Sequence, residues 1–166
     1  MTSETAIDIR DIPFTTAAGG QASLNDYAGK VLLIVNVASR CGLAPQYEQL
    51  EQLKKTYGPR GFDVLAFPSN QFLQELSKMD DILEYCSTTW GVTFPVFDKV
   101  KVNGRGAAPL YKELKKASDG SGKAGRVEWN FEKFLVLPSG EVKRFRPKVK
   151  PDDAEIVSLI EANVPN

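Results

Sequence analysis

An α/β fold with a mixed central sheet is what the sequence predicts, and three observations predict it. A continuous apolar run of strand length, Val31-Leu32-Leu33-Ile34-Val35-Asn36-Val37, is followed by apolar residues at helical spacing. Similar strand and helix patterns alternate through the middle of the chain. Two short strand-like segments and one more helical stretch close it. The chain has 166 residues, the size of one compact domain able to bury well over half of its unfolded surface, and residues 1–166 are expected to form a single domain.

In chain order, residues 6–14 and the stretch around Gly19-Gly20 read as an opening hairpin. The run 31–37 reads as a central strand covered on both faces, and it leads into Cys41. Pro45 suits the first position of a helix, where no amide hydrogen is needed. Tyr47, Leu50, Leu53 and Tyr57 continue that helix until Gly58-Pro59 stops it. Residues 62–67 make a second buried strand. Ser77-Lys78-Met79-Asp80 has the form of a capping box for a helix through Ile82, Tyr85 and Cys86. Residues 94–100 read as a strand, 110–116 as a helix, and the polar, glycine-rich 118–126 as a loop. Strands at 131–137 and 141–145 are joined by Pro138-Ser139-Gly140, and a helix over about 152–163 ends the chain. This order predicts a thioredoxin-like arrangement, a mixed sheet flanked by helices with an N-terminal β-hairpin. A fold of that kind does not specify an activity.

Composition narrows the chemistry. Lysine plus arginine and aspartate plus glutamate number 21 each, so no excess positive charge points to nucleic acid or an anionic membrane. The residues Met1-Thr2-Ser3-Glu4-Thr5 are polar and lack a basic start and an apolar core. No apolar run approaches the roughly 18 residues of a membrane span, so a cytoplasmic location is expected. There is no histidine, which excludes a Cys-His hydrolase and histidine-containing zinc sites, and two cysteines cannot supply a four-thiolate site. No haem, flavin or nucleotide motif is visible, Gly104-Arg105-Gly106 included, and no cofactor is expected.

Cys41 lies beyond the carboxyl end of a strand and ahead of a helix amino terminus. An ordinary thiol has a pKa of about 8.5, and unpaired amides together with the helix dipole favour its anion. Arg40 beside it supplies a further positive charge. A packed, unreactive thiol is the competing reading, and position alone leaves both open. Cys86, four residues after Ile82, is by pattern a packed residue on the apolar face of its helix.

Three segments carry a resemblance. Asn36-Val37-Ala38-Ser39-Arg40-Cys41-Gly42-Leu43, Phe67-Pro68-Ser69-Asn70-Gln71-Phe72 and Trp129-Asn130-Phe131-Glu132-Lys133-Phe134-Leu135 resemble, in order, the signatures of the glutathione peroxidase family in its cysteine form. The resemblance runs from about residue 24 to the carboxyl terminus. It implies a hydroperoxide reductase in which Cys41 attacks the peroxide and becomes a sulfenic acid, assisted by glutamine, Trp129 and Asn130. Those three donate N–H groups without titrating, which suits a protein with no histidine. The family usually reads Asn-Gln-Phe-Gly-x-Gln-Glu, whereas Asn70-Gln71-Phe72 is followed here by Leu73-Gln74-Glu75 and is one residue short. Gln74 is the expected glutamine, because a carboxylate at Glu75 would oppose the thiolate; Gln71 is the fallback. Ser69 and Ala44 depart from common family residues without removing an evident chemical group.

By the same resemblance, Glu84-Tyr85-Cys86-Ser87-Thr88 corresponds to the resolving cysteine of a thioredoxin-dependent branch. Cys86 would then form a disulfide with Cys41 that thioredoxin reduces. The pair must bring its Cα atoms within about 7 Å, so the helix around Cys86 is expected to rearrange if it holds them farther apart. The alternatives are recycling by glutathione with Cys86 idle, or a peroxide sensor passing its disulfide to a partner. A peroxiredoxin fits less well, since Ala38-Ser39-Arg40 lacks the threonine three positions before the cysteine, and there is no Cys-x-x-Cys. The short segment between Leu114 and Trp129 resembles that of monomeric members.

Overall fold

A computed structural model of the protein describes residues 7–166. At its centre, β3 (Val31–Val37) is buried at every position, as its unbroken apolar sequence requires. It pairs in parallel with β4 (Phe62–Pro68), from Val31 opposite Phe62 to Val37 opposite Pro68. On its other side it pairs antiparallel with β5 (Lys133–Val136), which pairs antiparallel with β6 (Val142–Phe145). The order β4-β3-β5-β6 is the mixed sheet of the expected thioredoxin-like fold.

Side chains alternate across this sheet and divide the core in two. Leu33, Val35 and Leu135 pack beneath α1 (Gln46–Tyr57), α2 (Met79–Trp90) and α4 (Ala154–Asn163), among Tyr47, Leu50, Ile82, Cys86 and Ile156. Leu32, Ile34 and Phe134 face the opposite way, onto Leu110, Tyr111 and Leu114 of α3 (Pro109–Leu114). No helix of the described residues is long and apolar enough to cross a membrane.

The opening hairpin is shorter than its sequence suggests. Pairing is confined to β1 (Phe14–Thr15) and β2 (Gln21–Ala22), and Ile9–Asp11 form a 3-10 turn capped by Asp8. Pro13, lacking an amide hydrogen, stands just before the paired residues. Ala6, where the hairpin was expected to begin, and Met1 to Thr5 lie outside the described residues.

Residues 94–100 are not a strand. They run beside β4 through one isolated bridge, Val96 opposite Ala66, with Ala66 N donating to Pro95 O and Phe97 N to Ala66 O, and Pro95 has no amide with which to continue a ladder. The capping box at Ser77 does not form either: Lys78 is the N-cap of α2, and no side chain caps it. Pro45 occupies the N-cap of α1 rather than its first turn, because 42–45 already form a tight turn.

Candidate active site

Cys41 sits in the turn between β3 and α1, almost fully buried at 6% exposure. The Leu43 amide donates to its sulfur at 3.3 Å, and its carbonyl accepts from Ala44 N at 3.0 Å. The sulfur therefore faces a backbone donor of the kind that favours an anion. Arg40, expected to lend charge, is exposed.

The segment after β4 holds this turn in place. Arg40 N donates to Gln74 O at 2.8 Å, and Ser39 N and Oγ both donate to Glu75 Oε1, at 3.0 and 2.5 Å. Leu76 N adds a third donor to the same oxygen. Burial holds the Glu75 carboxyl above the usual range in spite of these bonds, and Oε2 has no partner among the described residues. The three candidates for the glutamine position thus have different neighbours. Gln74 Oε1 accepts from Asn130 Nδ2 at 3.1 Å, Glu75 braces Ser39, and Gln71 is taken up by Val102 and Asn103.

Asn130 is wholly buried, and its amide donates to Gln74 rather than to the sulfur. Its Oδ1 has no partner among the described residues. Trp129, 38% exposed, is bound through its carbonyl to Asn36 Nδ2 at 3.1 Å, while its ring lies against Phe72 with centroids 5.0 Å apart. Next comes Phe131 with a left-handed φ of 65°, pinned where its amide donates to Asn36 O at 2.6 Å. Trp129, Leu43 and Pro147 line an open cleft of about 390 Å³, so the residue whose amide meets the sulfur also borders open space.

Cys86 lies on the buried face of α2, as its spacing indicated. Both cysteines are free and border the same half of the core. The Cys86 thiol donates to Tyr47 Oη at 3.5 Å, and burial pushes it up to about 11. The Tyr47 hydroxyl is likewise held well above its usual value by burial. The Cys86 carbonyl accepts from Val92 N, just past a left-handed Gly91 that ends the helix.

The contacts of two buried groups at the site were not foreseen in the sequence. Tyr47 was placed on its helix, but its bond with Cys86 was not, although a tyrosine on a buried face needs a polar partner. Lys133 stands inside an otherwise apolar strand, the signal that would have singled it out.

Comparison with known proteins shows the family of the chain. The family model for glutathione peroxidase matches residues 9–115. Thioredoxin/glutathione peroxidase BtuE of Escherichia coli is 48% identical, with 86% of this chain and 89% of that protein covered. Hydroperoxy fatty acid reductase gpx1 of Synechocystis is 49% identical, with 86% and 89% covered. Among solved structures, that of Trgpx in apo form superimposes with a TM-score of 0.73 at 39% identity, covering 96% of this chain and all of that one.

Proposed function

Because the chain belongs to the glutathione peroxidase family and is a peroxidase that reduces hydroperoxides, we propose that Cys41 is its nucleophile and that Gln74, Trp129 and Asn130 assist it. The observation that carries this reading is the Leu43 amide on the Cys41 sulfur, in a turn tied through Gln74 to Asn130. The thiolate attacks one peroxide oxygen and the O–O bond breaks. Cys41 becomes a sulfenic acid, and the departing oxygen takes up a proton to leave as water or an alcohol. The Trp129 indole and the Gln74 amide are the donors that would meet charge developing on that oxygen.

In the second half of the cycle, the Cys86 thiol loses its proton and attacks the Cys41 sulfur. The S–O bond breaks, water leaves and a disulfide forms for thioredoxin to reduce. Burial opposes ionisation of Cys86, so this step requires α2 to open toward water at its carboxyl end. The E. coli relative is named for both thioredoxin and glutathione. Replacing Cys86 with serine separates them. Turnover supported by thioredoxin, thioredoxin reductase and NADPH should collapse in the variant. If turnover with thioredoxin persists in the variant, Cys86 is idle; if only glutathione sustains either protein, the cycle runs through glutathione.

The substrate range includes hydrogen peroxide and organic hydroperoxides, fatty acyl ones among them. The Synechocystis relative is named for that class, and the cleft beside Leu43 and Trp129 has an apolar side. Operation as a monomer in the cytoplasm, where thiols are kept reduced, completes the proposal.

A further inference from the structure

A lysine without access to water lies beneath the site. Lys133 opens β5 with no exposed surface, and its ammonium has three neutral acceptors. They are Gln46 Oε1 at 2.8 Å, Pro147 O at 3.1 Å and, in a short contact, Phe131 O. Each belongs to a different part of the site. Gln46 begins α1, directly after the Cys41 turn. Phe131 follows Trp129 and Asn130 in the left-handed conformation, and Pro147 lines the cleft beside Trp129. Gln46 also donates to Pro147 O at 2.9 Å, which closes the cage.

An ammonium has three N–H groups for these three acceptors, whereas a neutral amine has two and would turn its lone pair toward a carbonyl oxygen. We propose that Lys133, as its ammonium, is a positioning residue that locks the Trp129–Asn130 turn onto the start of α1, so the site is fully formed only while this lysine keeps its proton. The inference rests on the reading of Trp129 and Asn130 as partners of Cys41.

The surroundings bring that proton into the physiological range. Burial draws the ammonium down to about 7, and Glu132 is the charged group opposing it. The Glu132 carboxylate is held by Arg144 and Arg146. From α1 the facing group is the neutral Gln46, and the flanking strands place Val35 and Phe145 opposite Lys133. Arg146 and Lys148 flank Pro147 along the chain. Near neutrality, loss of one proton thus removes one of the three bonds by which Lys133 joins the start of α1, Phe131 and Pro147.

The test begins with the reduced wild-type protein. Its Trp129 indole N–H resonance, identified by its loss in Trp129→Phe, should shift between about pH 6 and 8 with the midpoint of the Lys133 Cε resonance. A Trp129 signal that stays still while Lys133 titrates, or a Lys133 that titrates above about 10, overturns the proposal. Single-turnover oxidation by hydrogen peroxide supplies the second arm. Arginine keeps its charge throughout, so the wild-type rate relative to Lys133→Arg should fall about threefold or more from pH 6 to 8.5. A constant ratio overturns the proposal, and if Lys133→Arg does not fold, the wild-type titration decides alone. A Trp129→Phe protein that reacts at the wild-type rate would instead sink the reading of the site itself.

Discussion

At Glu75, burial and hydrogen bonding act in opposite directions, and burial prevails. The folded protein therefore binds the Glu75 proton more tightly than the unfolded chain does. The stabilisation this gives is complete below the ordinary value of 4.5 and is lost as pH rises through the higher folded value. Glu75→Gln keeps an oxygen for the Ser39 and Leu76 donors and removes the titration. The stability of wild type minus that of the variant, from urea unfolding at a series of pH values, should thus decline from acid toward neutral pH. A difference that does not change with pH would show that Glu75 is not held above its ordinary value. The roles of Gln74 and Glu75 were ambiguous in the sequence because the segment is one residue short. In the fold the two have separate neighbours, Asn130 for Gln74 and Ser39 for Glu75, just after Leu73 turns the chain with a φ of 60°. That conformation is uncommon for leucine and leaves no apolar pattern to read.

At the scale of an element, α2 carries the most consequence, because Cys86 lies near its carboxyl end and its last turn closes on Gly91. Gly91 has a φ of 63°, and nothing stands within 4 Å of where a Cβ would go, so Gly91→Ala adds conformational strain without a clash. The expected loss is about 1 kcal/mol, or roughly 2–4 °C in Tm for a chain of this size. The same change should speed formation of the Cys41–Cys86 disulfide after one equivalent of peroxide, followed by quenched mass spectrometry, because the end of the helix opens more readily. An unaltered or slower rate would count against unwinding as the step that frees Cys86. The body of this helix was legible from Ile82, Tyr85 and Cys86. Its start was not: Ser77 and Asp80 have the sequence of a box, but the helix begins beyond Ser77, and Lys78 takes the cap without a side-chain bond. Residues 94–100 misled for a related reason, since Phe94, Val96 and Phe97 have strand character while Pro95 interrupts the pairing.

For the molecule as a whole, the most connected group is Arg144. From β6 it meets Glu132 and donates to the carbonyls of Lys115, Ala117, Gly125 and Arg126, with its guanidinium 4.8 Å from the Phe134 ring. One side chain thus fastens both ends of the 115–126 loop to the sheet. Arg144→Met leaves the Ala117 and Gly125 carbonyls unmatched and the buried Glu132 with only Arg146 and the Glu128 amide, and should lower stability by about 3–5 kcal/mol in denaturant unfolding. A loss below about 1 kcal/mol would mean that the loop is anchored elsewhere. The mixed sheet was legible from the order of apolar runs, because strand and helix periods are local properties. The docking of this loop was not, since it depends on contacts from two arginines, Arg144 and Arg146, to groups 18 to 29 residues away along the chain. The irregular segment along β4 has a consequence for behaviour in a crowded solution. It occupies the open side of β4 through Ala66 and Pro68, and at the far margin β6 is four residues long and carries Lys143 and Arg144. Neither margin of the sheet offers the long, bare ladder on which another chain could add a strand. A protein with its sheet margins covered in this way is spared the self-association that an exposed margin would invite.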